Sequence, residues 1–107
     1  MQVFDPPRAK RYNVKLKAVV TYESSRRVAE GRSISKNGMA LILRDELPIG
    51  ATVQLTLPVL GEPLQFEGVI RNRHESTYGV AFVHAAEEKR AMLANYCSAM
   101  ALAASAL

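Results

Sequence analysis

Apolar and polar residues alternate from Val14 onward: Val14, Leu16, Ala18, Val20 and Tyr22 against Lys15, Lys17, Val19 and Thr21. Successive side chains of a strand point to opposite faces, so a period of two marks a half-buried strand. The stretch ESSRR turns the chain, and residues 27 to 35 read as the returning strand. Met39 to Leu43 is a short apolar run, and RDELPIG after it is a loop broken by Pro48 and Gly50. Val53, Leu55 and Leu57 alternate again until Pro58 stops them. After the turn VLGEP, Leu64, Phe66, Gly68 and Ile70 face one way, with Gly68 marking a bulge or a sharp bend. Tyr78, Val80 and Phe82 form the last strand. Short strands at this spacing predict a mainly β fold, a closed antiparallel barrel or small sandwich.

The period then changes. From Ala85 the residues are good helix formers, and Met92, Leu93, Tyr96, Cys97 and Met100 recur at intervals of three and four. Glu87 and Glu88 lie in the first turn, where carboxylates complement the helix dipole. The spacing predicts a helix over 85–105, packed through Met92, Leu93 and Tyr96, with Cys97 a buried structural thiol. The tail SAMALAASAL keeps helical propensity but loses its polar face. Met100, Leu102 and Leu107 would then form an apolar patch, which predicts self-association through the helix or docking onto a protein partner. The uninterrupted apolar stretch falls short of the ~20 residues of a membrane span.

Between the second and third strands stands GRSISKNGMALIL, residues 31–43. Asn37-Gly38 predicts a type I′ hairpin turn, which requires positive φ at both central residues. Ser33 and Ser35 have two readings: hydroxyls that satisfy turn backbone, or hydroxyls that hold a ligand.

The 107 residues carry a formal charge of +4 and are 49% hydrophobic and 22% charged, as expected of one globular domain. The charge is uneven, with Arg8, Lys10, Arg11, Lys15 and Lys17 leading into and along the first strand, and Arg26, Arg27, Arg32 and Lys36 following on the second. Such a field favours an anionic partner, although a solvated basic edge looks the same in sequence. A single cysteine excludes an intrachain disulfide, and the N-terminus lacks the apolar region of a signal peptide, so a cytoplasmic protein is expected. His74 and His84 have no carboxylate or thiol at ligand spacing, and adjacent Glu87 and Glu88 point different ways on a helix. No metal, catalytic pair or phosphate-cradling glycine loop emerges, and the chain reads as a non-enzyme. Polymeric nucleic acid is disfavoured too, because most aromatic residues fall on inward-facing positions and leave no stacking platform.

The ordered set of a basic arginine segment, a strand pair, Ser-x-Ser-x-x-Gly, MALIL, LPIGATVQLTLP, GVIRNR, YGVAF and a final helix resembles the PilZ domain family. The resemblance runs from about Arg8 to about Cys97. It implies a six-stranded antiparallel barrel with a C-terminal helix: a basic segment over 1–12, the barrel over 13–83 and the helix over 85–105. It also implies a receptor or adaptor in bacterial signalling that binds cyclic di-GMP. The family signature is an RxxxR segment before the first strand and a (D/N)xSxxG motif after the second. Carried onto this chain, it implies a site of Arg8 and Arg11 for phosphate and guanine, with Ser33, Ser35 and Gly38 opposite and Lys10 as a further phosphate contact. Arginine suits both tasks, since its planar fork binds phosphate or the guanine edge bidentately. Glycine would let backbone approach the ligand closely.

Two positions depart from the signature. Pro7 stands where the first arginine is expected, so Arg8 and Arg11 make RxxR. Ser33 stands at the Asp/Asn position, which removes one charge-assisted hydrogen bond, ~1.5–3 kcal/mol, or about tenfold or more in affinity. The alternative implied by the family is an adaptor that binds a protein partner without nucleotide.

Overall fold

The alternating segments become six antiparallel strands and one helix, and the computed structural model describes residues 11–59 and 62–105 of the chain. The strands are β1 (Tyr12–Tyr22), β2 (Ser25–Ser35), β3 (Gly38–Ile42), β4 (Thr52–Val59), β5 (Glu62–His74) and β6 (Thr77–Val83). Helix α1 spans Glu87–Ser105. The strands close into a barrel in the order β1-β2-β3-β6-β5-β4. Closure removes the exposed edges that an open sheet of this composition would present.

The inward face is the one the alternation marked. Ala18 and Val20 of β1, Leu55 and Leu57 of β4, Phe66 and Ile70 of β5, and Tyr78, Val80 and Phe82 of β6 are buried together. Phe66 and Phe82 stack with ring centroids 4.4 Å apart. Leu93, 1% exposed, carries α1 into this cluster, and Tyr96 packs beside it. Polar contacts also hold the helix on the barrel: Lys89 Nζ donates to the Gln65 carbonyl at 2.7 Å, the Tyr96 hydroxyl to that of Pro58 at 3.4 Å, and Arg90 Nη1 to Asn37 Oδ1 at 3.0 Å. Met92 was expected in this contact but is 52% exposed. Neighbouring helical residues diverge by about 100°, and the barrel accepts only the narrow stripe through Leu93 and Tyr96. The side chains of Cys97, Met100 and Leu102, and the whole of Arg8, Lys10 and Leu107, lie outside the described residues.

Four local expectations are corrected. The helix begins at Glu87, two residues later than predicted, after His84 takes φ 57°. Pro58 does not end β4, which continues to Val59 with Pro58 opposite Pro63. It is tolerated because β1 pairs with β4 only from Gln54 to Thr56, so that flank of β4 has no ladder to lose. Gly68 stays in register with Val53 and Phe82; the irregularity in β5 falls between Ile70 and Asn72. Finally, Asn37-Gly38 is not a type I′ turn. Ser35 pairs with Gly38, so the loop is Lys36-Asn37, and neither residue has positive φ. The positive pair is Glu23 and Ser24, φ 49° and 64°, at the β1–β2 hairpin. Gly38 is needed for another reason: a Cβ there would collide with the carbonyl oxygen of Val80 on β6.

The long β3–β4 connection is pinned from inside. The fully buried Tyr78 hydroxyl donates to the Asp45 carbonyl at 2.7 Å and accepts from the Leu47 N–H at 3.1 Å. The Leu43 N–H donates to the Ser76 carbonyl at 2.9 Å.

Candidate ligand-binding site

Strand register brings the sequence motif together. Tyr12 pairs with Ile34 and Asn13 with Ser33, so Arg11, just ahead of β1, lies beside the end of β2. Its Nη1 donates to Ser33 Oγ at 3.2 Å. A register shift between Gly31 and Ser33 leaves Arg32 as an extra residue in β2 where it pairs with β3. Such bulges re-aim side chains.

The two serines differ in their surroundings. Ser35 is 5% exposed; its hydroxyl accepts from the Asn37 N–H at 3.2 Å and donates to the Gly38 carbonyl at 3.4 Å. It satisfies the turn. Ser33 faces outward instead and holds the Arg11 guanidinium, leaving that group's remaining donors for another acceptor.

The structure adds residues that motif reading missed. The shift between Ile70 and Asn72 makes Arg71 the extra residue of β5. It turns toward a cavity of about 220 Å³ lined also by Arg11, Ser35, Asn37, Gly38 and Asn72. Gly79 of β6 gives Asn72 its place, since a Cβ there would come within 2.5 Å of Asn72 Oδ1. The sequence held one hint of this phase change. Unbroken alternation after Ile70 would turn the polar Asn72 into the core.

Two guanidinium groups therefore line one cavity, and among the described residues no carboxylate lines it with them. Arg90 of α1, which does not line the cavity, donates from Nη1 to Asn37 Oδ1 at 3.0 Å, while its Nε is buried without a partner among the described residues. The arginine-lined cavity has chemistry for a phosphate or a guanine edge, both rich in acceptors. Among the described residues there is no group of three or more His, Cys, Asp or Glu that would hold a metal ion. A larger concavity of about 840 Å³ shares no lining residue with this one. Size alone does not single out the candidate site: Arg11, Ser35 and Gly38 of the motif, together with Arg71, converge on the smaller cavity.

Comparison with known families identifies the fold. The model of the PilZ domain matches residues 6–99. The chain belongs to the PilZ family. Several solved structures share its fold. The Bacillus subtilis inhibitor of motility MotI/DgrA superposes with a TM-score of 0.72 at 21% identity, over 92% of this chain and 53% of its own. The PilZ domain of CeSA from a cellulose-synthesizing bacterium gives 0.69 at 12% identity, over 86% of this chain and 98% of its own. The Borreliella burgdorferi PlzA protein, solved in complex with c-di-GMP, gives 0.66 at 14%, over 87% of this chain and 41% of its own. The chain thus spans about half of the motility inhibitor and less than half of PlzA. No match was found among curated protein sequences. Among the described residues, no helix of this PilZ protein is long and apolar enough to cross a membrane.

Proposed function

We propose that this PilZ protein is a non-enzymatic receptor for cyclic di-GMP in the bacterial cytoplasm, and that it passes the signal to a protein effector. One observation carries the reading: Arg11, held by Ser33, and Arg71, set by a bulge, line the same cavity at the Ser35–Gly38 turn, with no carboxylate among the described residues that line it. In this proposal Arg11 and Arg71 bind phosphate or guanine, Arg8 and Lys10 add cations from the preceding segment, and Ser33 positions Arg11. Ser35 and Gly38 shape the turn and line the cavity that receives the nucleotide. The cavity of about 220 Å³ is smaller than the ~300–1,000 Å³ typical of small-molecule sites. The dinucleotide accordingly lies across its mouth, with one end inserted.

Isothermal titration with cyclic di-GMP tests this. Binding is expected, with Arg11→Ala reducing it below detection and Arg71→Ala weakening it by about tenfold or more, one to two charge-assisted bonds. No binding at high micromolar ligand would replace the receptor reading with that of an adaptor independent of nucleotide.

A further inference from the structure

The concavity of about 840 Å³ lies on the outer face of the β1–β2–β3 sheet, where the alternation that fills the core leaves the opposite set of side chains. Val28 is 66% exposed there and stands opposite Val19, while Glu30 pairs across to Lys17 on one side and Ile42 on the other. Val28 and Ile42 thus give the groove an apolar floor. Lys15, Lys17, Arg26 and Arg44 surround it.

The charge in this groove is not internally balanced. Its two carboxylates are already answered: Asp45 Oδ2 by Arg27 Nε at 2.6 Å, and Glu30 Oε1 by Arg32 Nη1 at 3.8 Å. Arg27 is committed further to the carbonyls of Tyr22 and Ser25 and lies over the Tyr22 ring at 5.9 Å. Lys15, Lys17, Arg26 and Arg44 enter no ion pair among the described residues. Four unanswered cations around an exposed apolar floor form a surface whose complement is a chain with carboxylates flanking apolar side chains.

We infer that this groove docks an acidic segment of a partner protein, with apolar side chains of that segment seated on Val28 and Ile42. A nucleic acid strand fits less well, because among the described residues no aromatic side chain lines the groove for bases to stack on. A membrane surface fits less well too, because the cations surround a concavity, which admits a chain more readily than a lipid plane. The inference takes from the receptor–adaptor reading that a protein partner exists, and it identifies where and by what chemistry that partner is bound. The groove shares no residue with the arginine-lined cavity, so the two sites are separable by mutation.

The test uses the full chain and a fluorescein-labelled peptide in which Glu alternates with Leu, read by fluorescence polarisation. The peptide is expected to bind, and its Gln-for-Glu counterpart to bind at least about tenfold more weakly. The double variant Lys17→Glu/Arg44→Glu, both exposed positions, is expected to lose about tenfold or more of peptide affinity while cyclic di-GMP titrates as in the parent. Val28→Ser is expected to weaken the peptide several-fold. Failure of the peptide to bind, or equal binding by the double variant, overturns the inference. So does tighter binding of phosphatidylglycerol vesicles or an oligothymidylate through Lys17 and Arg44. A parent chain that binds the peptide but not cyclic di-GMP would sink only the nucleotide proposal, and the reverse result only this one.

Discussion

Replacing Tyr78 with Phe deletes one oxygen and leaves the ring in place. That oxygen serves two backbone groups of the β3–β4 loop, accepting from the Leu47 N–H at 3.1 Å and donating to the Asp45 carbonyl at 2.7 Å. Leu47 is 3% exposed, so its N–H is left in the interior without an acceptor, at a cost of ~1–3 kcal/mol. Asp45 is exposed and its carbonyl regains water, so that bond contributes only ~0.5–1.5 kcal/mol. The expected loss is about 2–3 kcal/mol, or ~10–20 °C in Tm for a domain of this size. Urea unfolding followed by circular dichroism measures it, with an unchanged denaturant slope as the sign that both end states are preserved. The same loop carries Arg44 and Asp45 into the basic groove, so peptide affinity falls at 25 °C while cyclic di-GMP affinity does not. A loss below about 0.5 kcal/mol would refute the reasoning, by showing that the loop finds another acceptor for Leu47.

Two glycines separate a structural role from a ligand-side one. Gly38→Ala drives a methyl into the Val80 carbonyl of β6, which cannot swing aside; a loss of about 2–3 kcal/mol or more is expected by thermal unfolding. Gly79→Ala meets only the end of the exposed Asn72 side chain, so stability falls by less than ~1 kcal/mol. The displaced Asn72 intrudes on the cavity, and calorimetry is expected to show weaker cyclic di-GMP binding. For the tail, α1 leaves Met92 half exposed, and self-association through the helix predicts a dimer that becomes monomeric on truncation after Cys97. Light scattering on a size-exclusion column decides this, and a full-length chain already monomeric at high concentration rejects it.

Much of the barrel was legible because burial of one strand face imposes a period of two. Ala18, Val20, Leu55, Leu57, Phe66, Ile70, Val80 and Phe82 could be assigned inward from their spacing alone, and all are buried. The helix was legible from its change of period, and Leu93 and Tyr96 from their spacing of three. Arg11, Ser33 and Ser35 were singled out by a motif, and strand pairing brings them to the same end of the barrel. Local pattern does not reach beyond a strand's own alternation, however. Which serine faces the arginine depends on the bulge at Arg32, and the presence of Arg71 in the cavity depends on another in β5. Bulges answer the register that closing six strands demands, a property of the whole ring. The same holds for charge: the sequence showed an excess of cations on the first two strands, but only packing paired Arg27 with Asp45 across eighteen residues. Among the described residues that pairing leaves Lys15, Lys17, Arg26 and Arg44 unanswered around an apolar floor, because ion pairing depends on distance in space and composition records none.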